Sequence, residues 1–257
     1  MTDKAAGEET FISHLIELRD RLVKASIGIA IITAALMLWP GPAQIYDFIA
    51  RPMIDALPAG SKMIATGVIA PFLVPMKVTL VIAFILALPW VFYQMWAFIA
   101  PGLYQHEKKL VLPLVVSSSL LFMGGVAFCY FLVFGRVFKF IGDFAPSSIA
   151  VMPDIENYLD FVMSMCLAFG ATFEVPVVVV ILVRMGIVSV AKLKEVRPYT
   201  IVGAFVIAAI VTPPDVVSQL ALAVPMCLLY EVGIWAAQIF IKHTKAPDDA
   251  EEPASNA

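Results

Sequence analysis

The sequence predicts an all-α integral membrane protein with six transmembrane helices in a bent, concave bundle and both termini cytoplasmic. Composition is the first of three reasons. Hydrophobic residues make up 61% of the 257 and charged residues 14%, where a soluble domain carries about 25% charge; mean hydropathy is +0.92. Second, the apolar residues are gathered into runs that match a hydrocarbon core of about 30 Å, which takes roughly 20 residues per helix. Third, the basic residues fall mainly in alternate connecting segments, as an orientation signal does. The net charge of −3 carries no nucleic-acid signature.

The first span is expected at 22–39, ended by Pro40-Gly41-Pro42. A polar N-terminal segment, 1–21, precedes it; with charges of both signs and a longer apolar run behind it, this segment does not read as a cleaved signal peptide. Residues 41–71 are turn-rich with a short helix at 44–57. The second span is expected at 72–99 and the third at 110–134, followed by a loop, 135–156, that holds Arg136 and Lys139. The fourth runs 158–183, the fifth 199–211, and the sixth 216–241 after the turn Thr212-Pro213-Pro214-Asp215. These spans form one membrane domain, 22–241. Residues 242–257, acidic with Pro and Ser, read as a disordered tail. No internal repeat is visible, which argues against an inverted-repeat transporter.

Orientation follows from the Lys and Arg positions. Lys4, Arg19, Arg21, Lys24, Lys108, Lys109, Arg184, Lys192, Lys194, Arg197, Lys242 and Lys245 fall on one side. Arg51, Lys62, Lys77, Arg136 and Lys139 fall on the other. The richer side is the cytoplasmic one.

Particular residues refine this outline. The fifth span, about 13 residues at 1.5 Å each, reaches only about 20 Å, so the bilayer thins or the spans tilt there, unless the helix simply extends a few residues further. Pro75, Pro89, Pro113, Pro176 and Pro225 lie within spans. Each removes a backbone bond and can kink its helix. Glu174, before Pro176, is an intramembrane carboxyl: either a functional group or a partner for the carbonyl that Pro176 frees. Glu231 is expected to reach the cytoplasmic interface. Thr212 and Gln219 flank the last turn, where they either hydrogen-bond a partner helix or cap their own.

Two polar stretches stand apart from the apolar background: His14–Leu22, HLIELRDRL, and Trp96–Lys109, WAFIAPGLYQHEKK. Both fall on the cytoplasmic side, and each carries a carboxylate, Glu17 and Glu107, suited to a cationic ligand. A guanidinium offers a planar fork that a carboxylate accepts bidentately and an ammonium cannot reproduce. Enzymatic readings lack support: His14, His106 and His243 lie outside the spans, so no Ser–His pair forms within the membrane, and neither an HExxH nor a phosphate loop is written in the chain. No enzyme activity, cofactor or metal is expected. Cys129, Cys166 and Cys227 stand singly in three spans and read as small hydrophobes. The rival reading from the residues is a proton-coupled small-solute transporter with Glu174 as relay.

HLIELRDRL, MIATGVIAPF at Met63–Phe72, WAFIAPGLYQHE, FEVP at Phe173–Pro176, RPY at Arg197–Tyr199, VGAF at Val202–Phe205 and TPPD at Thr212–Asp215 together resemble TatC, the core subunit of the twin-arginine protein translocase. The resemblance runs in order over nearly the whole chain, with departures at Gly102 and Gln105. It implies a receptor in the bacterial inner membrane that binds signal peptides of folded cargo at the cytoplasmic face. Glu17 and Glu107 match the carboxylates that hold the paired arginines; Phe98, Pro101, Leu103 and Tyr104 match the adjoining loop, and Arg19 and Arg21 the functional arginines of the N-terminal segment. Pro52 and Asp215 match sensitive positions on the far side. Thr212 and Gln219 lie in the region where TatA- or TatB-type single-span helices dock. The resemblance further implies contact with membrane lipids, self-association in a larger complex, and transport driven by the proton-motive force.

Overall fold

The computed structural model describes residues 2–57, 62–99, 111–144, 146, 152–212 and 215–240, and every regular element among them is helical. In order these are α1 Thr2–Leu38, α2 Pro42–Ile54, α3 Ala70–Ile99, α4 Val111–Phe128, a π-helical turn Cys129–Val133, α5 Phe134–Phe144, α6 Ile155–Phe173, α7 Val175–Arg184, α8 Val190–Glu195, α9 Arg197–Val211 and α10 Val216–Phe240. Five stretches are long and apolar enough to span a bilayer: Ser13–Leu38, Ala70–Ile99, Leu112–Phe144, Ile155–Arg184 and Val216–Ile239. Many of the outward side chains on them are themselves apolar. Ile31 is 64% exposed, Leu120 67% and Phe131 72%, the kind of surface that suits a lipid environment. The protein is a multi-pass membrane protein.

Three helices differ from the sequence expectation, each for a physical reason. The helix of the first span does not begin at 22: α1 runs unbroken through the polar segment from Thr2. The helix of the third span does not stop at 134: it passes through the π-helical turn and α5 to Phe144. The FGRVFKFIGDF sequence of α5 is amphipathic, burying Phe134, Val137 and Phe138 while Arg136 and Lys139 face outward. A helix with one buried face persists beyond the hydrocarbon. Leu112–Phe144 is 33 residues, or about 50 Å, well over the thickness of the core. The fourth span breaks at Glu174 into α6 and α7. Pro176 cannot donate to the preceding turn, and the Glu174 amide bonds instead to the nearer Ala171 carbonyl at 3.1 Å. The short α9 is as expected: 15 residues make about 22 Å. The acidic tail 242–257 lies outside the described residues.

The chain divides into two compact units, Met1–Leu120 with Ala145–Met163, and Leu121–Phe144 with Ser164–Ala257. In the first, α1 packs on α3. Lipid supplies no hydrophobic force between helices, so close approach at small residues decides the pairing. Gly28 is that residue on α1. A Cβ there would overlap the Trp90 indole, whose Nε1 donates to the Lys24 carbonyl at 2.9 Å. Helix α2 is entered through Gly41 at φ 95°, with Pro42 at its first turn, and is tied down by Tyr158, whose hydroxyl donates to the Ile49 carbonyl at 2.9 Å.

A clasp joins the loop before α3 to the start of α6. The Ile64 amide donates to the Pro153 carbonyl at 3.0 Å, and the Ile155 amide to the Ile64 carbonyl at 2.9 Å. At its centre, Asp154 Oδ1 accepts from the Thr66 amide at 3.1 Å and hydroxyl at 2.9 Å, while Oδ2 accepts from the Asn157 amide at 3.3 Å. Desolvation alone would push this carboxyl up, but the bonds from Thr66, Asn157 and Glu156 outweigh it and hold the group below its ordinary value. Burial, with smaller contributions from Asp47 and Asp154, raises the nearby Tyr46 phenol.

In the second unit, α10 packs on α7 and α9. A Cβ on Gly233 would stand 2.9 Å from Pro176 Cα and 3.0 Å from Val179. The same economy appears at Gly125, where a Cβ would lie 2.5 Å from the Phe169 carbonyl oxygen of α6. Val179, Val183, Leu193, Tyr230, Ile234 and Ala237 form the core between α7, α8 and α10, and the Tyr230 hydroxyl donates to the Leu193 carbonyl at 2.8 Å.

Two outcomes are expected. Gly28→Val should lower stability by about 1–3 kcal/mol through overpacking against Trp90, seen as a lower melting temperature and altered tryptophan fluorescence. Gly124→Ala, where an added Cβ meets nothing within 4 Å, should stay within about 0.5 kcal/mol. For the clasp, a depressed folded pKa places its stabilisation fully above the ordinary carboxyl pKa of about 3.9 and loses it as pH falls through the lower folded value. Hydrogen exchange should therefore show the Ile64 and Thr66 amides protected at pH 5, exposed in strong acid, and exposed already at neutral pH in Asp154→Ala. Equal protection in the variant would show that Asp154 is not the centre of the clasp.

Candidate signal-peptide site

The Gly28–Trp90 contact sets an antiparallel register that carries the polar end of α1 onto the last turns of α3. Moving along α1 toward its N-terminus, Arg21 meets Gln94 and His14 meets Phe98. The Arg21 guanidinium donates to Gln94 Oε1 at 3.4 Å and lies 3.4 Å from Glu17 Oε1. Glu17 and Arg21 are four residues apart, so one face of α1 carries both. Their side chains are 36% and 27% exposed, and Gln94 is only 3% exposed. The ring of Phe98 stacks on His14, with centroids 4.5 Å apart and planes at 24°.

Of the sequence-predicted residues, Glu17, Arg21 and Phe98 are thus brought into one neighbourhood. Arg19 is not: it points outward, paired to Asp20 at 2.7 Å, with 69% of its side chain exposed. Pro101, Leu103, Tyr104 and Glu107 lie outside the described residues. Gln94 was not singled out by sequence reasoning, and His14 was noted there only as a histidine of the polar stretch outside the spans. The four-residue spacing of Glu17 and Arg21 was visible there, but no local signal connects either to a glutamine 73 positions away from Arg21.

The remaining candidates lie elsewhere. Pro52 is inside α2. Glu174 occupies the turn between α6 and α7, half-buried, with its carbonyl accepting from the Val178 amide at 3.0 Å. Asp215 caps α10: its Oδ1 accepts from the Ser218 amide at 2.7 Å. The Thr212 hydroxyl donates to the Ala208 carbonyl at 2.8 Å, and Gln219 Nε2 to the Phe205 carbonyl at 3.3 Å. Thr212 thus bonds back within the last turn of α9, while Gln219 reaches across from α10 to α9. Thr212 is buried and Gln219 half-exposed. Glu231 pairs with Arg197 at 2.6 Å, both nearly half-exposed.

Fold and site define a helical multi-pass membrane protein that presents a carboxylate, a guanidinium and an aromatic ring together at one end of a helix pair. The family model described as Sec-independent protein translocase protein (TatC) matches residues 13–225. The Sec-independent protein translocase protein TatC of Azotobacter chroococcum mcd 1 is 48% identical over 243 residues, 95% of this chain and 94% of that protein. Its counterpart in Escherichia coli K12 is 48% identical over 233 residues, 91% of this chain and 90% of that protein. A crystal structure of the twin arginine translocase receptor TatC superposes with a TM-score of 0.76 at 36% identity, covering 88% of this chain and 98% of that one. The chain belongs to the TatC family. It is a component of Sec-independent protein translocation, a transport function, and the solute-transporter reading centred on Glu174 is set aside.

Proposed function

We propose that this protein is the receptor of the twin-arginine translocase in a bacterial inner membrane, with six spans and both termini cytoplasmic. It binds twin-arginine signal peptides of folded cargo at the cytoplasmic face through Glu17 and Glu107. Phe98 and the loop residues Pro101, Leu103 and Tyr104 take the apolar part of the motif. The observation that carries this reading is the partly exposed Glu17 carboxylate at the α1–α3 junction, which already faces one guanidinium at 3.4 Å. Such a group is chemically suited to a second.

Magnitudes set the character of the binding. A sheltered charge-assisted hydrogen bond is worth about 1.5–3 kcal/mol and an exposed ion pair about 0–1, whereas nanomolar affinity needs about 12. Two arginine contacts leave most of that to burial of the cargo's apolar stretch, so binding is moderate and reversible, as release requires. TatA- and TatB-type single-span proteins dock on the α9–α10 hairpin, with Gln219 as the contact and Thr212 shaping the surface. Copies of the receptor associate in a larger complex within the lipid, and the proton-motive force drives transport. Pro52, Glu174 and Asp215 act by position: Asp215 caps α10 and Glu174 holds the α6–α7 turn. Arg19 adds to the charge of the cytoplasmic rim.

Glu17→Ala and Glu107→Ala should each weaken binding of a twin-arginine peptide by about 1–3 kcal/mol, measured by fluorescence anisotropy on the purified protein, with a smaller loss for a twin-lysine peptide. Equal losses for both peptides would mean that neither carboxylate reads the motif. Gln219→Leu should cut copurification of a single-span partner severalfold and leave peptide affinity within about twofold, since the hairpin is a separate site. Parallel loss of both in a folded variant would join the two sites into one.

A further inference from the structure

The binding role proposed for Glu17 leaves three features of the α1–α3 junction unexplained. A glutamine at 3% exposure inside a membrane helix is costly unless its amide is used. Here the amide oxygen of Gln94 accepts from Arg21. Arg21 in turn contacts a single carboxylate oxygen, Oε1 of Glu17. The guanidinium therefore bridges a buried, fixed acceptor on α3 to a partly exposed carboxylate on its own helix. Arg19, two residues away, is paired outward to Asp20 and takes no part in the bridge.

We propose that Arg21 and Gln94 are positioning residues: they fix the plane of the Glu17 carboxylate, and this fixing makes the site favour guanidinium over ammonium ligands. The inference rests on the receptor reading above. A carboxylate with one oxygen held by Arg21 is restricted in rotation, which sets the plane in which Oε2 and the remaining lone pair of Oε1 accept. A planar fork gains from a set direction, because its two donors must meet the acceptor in one plane. An ammonium is a compact point charge with freely rotating donors and gains little from it. The tether thus supports arginine selectively, through preorganisation and not through added charge. Arg21 itself repels any cation, but that repulsion falls on arginine and lysine ligands alike and leaves their ratio untouched.

The ratio of affinities for a twin-arginine and a twin-lysine peptide, measured on the full chain in lipid nanodiscs, separates these effects. Arg21→Gln should lower the arginine-over-lysine ratio by about two- to fivefold, the range that one partly sheltered pair supports. Gln94→Met, which alters no charge, should lower it in the same direction. Arg21→Lys should fail to restore it, because an ammonium lacks the fork that spans Gln94 and Glu17. Arg19→Gln removes the same charge from the same helix and should shift both affinities together, with the ratio kept. If Arg21→Gln tightens both peptides equally, Arg21 is a plain competitor for Glu17 and the proposal is overturned. An unchanged ratio in Gln94→Met removes the tether and overturns it as well. Failure of the receptor reading looks different: wild-type protein would show no arginine preference, and Glu17→Gln would leave both affinities unchanged.

Discussion

The approach of Gly28 to Trp90 governs the polar end of the first unit. An indole laid against a glycine brings the α1 and α3 backbones close enough for Trp90 Nε1 to reach the Lys24 carbonyl. That contact sets the register. From it, successive turns bring Arg21 to Gln94 and His14 to Phe98. A slip of one turn, about 5.4 Å, would separate every one of these pairs, because none has the reach to follow. The carboxylate proposed to meet cargo is thus positioned by an apolar packing contact about three helical turns away along α1.

The same rule of approach at glycine recurs in the second unit, at Gly125 against Phe169, Gly170 against Phe122 and Gly233 against Pro176 and Val179. Lipid tails are as apolar as the side chains they replace, so burial gives little advantage to one helix pair over another. Shape then discriminates. Glycines supply the close approach, and the rigid partners beside them, an aromatic ring or a proline, make the fit specific. Some hydroxyls buried in the spans are satisfied within their own helix, as Thr79 is on the Pro75 carbonyl and Ser119 on the Val115 carbonyl, whereas those of Ser118 and Ser218 find no protein partner among the described residues.

What the sequence revealed and what it hid divide along physical lines. Hydropathy located the long spans because an apolar run is a one-dimensional signal, and the brevity of α9 was visible in the count of residues from Tyr199 to Val211. The break at Glu174 was foreshadowed by Pro176, whose missing N–H is a local fact. The π-helical turn at Cys129–Val133 had no such marker, since no proline lies within it. Amphipathicity in FGRVFKFIGDF was legible in principle, but the charges of Arg136 and Lys139 suggested a loop where the buried Phe134 and Phe138 keep a helix. The clasp of Asp154 on Thr66 spans 88 positions, and the bridge from Arg21 to Gln94 spans 73. Contacts of that kind depend on helix register, which no residue pattern states.

The charges at the ends of the helices follow one logic. Arg21 with Glu17, Arg197 with Glu231 and Lys192 with Glu195 are each partly exposed, at 2.6 to 3.4 Å. Pairs of this kind are individually weak, so they are not what holds the helices together; the glycine contacts do that. Their value lies in direction. At the boundary of a low-dielectric slab a lone charge turns toward water, and a paired one can be held at a chosen angle beside the apolar surface. Of these pairs, Arg21–Glu17 is the most sheltered, and its arginine also bonds a buried acceptor on another helix. That combination of weak net energy and firm orientation is what a receptor requires if it must recognise a guanidinium and later release it.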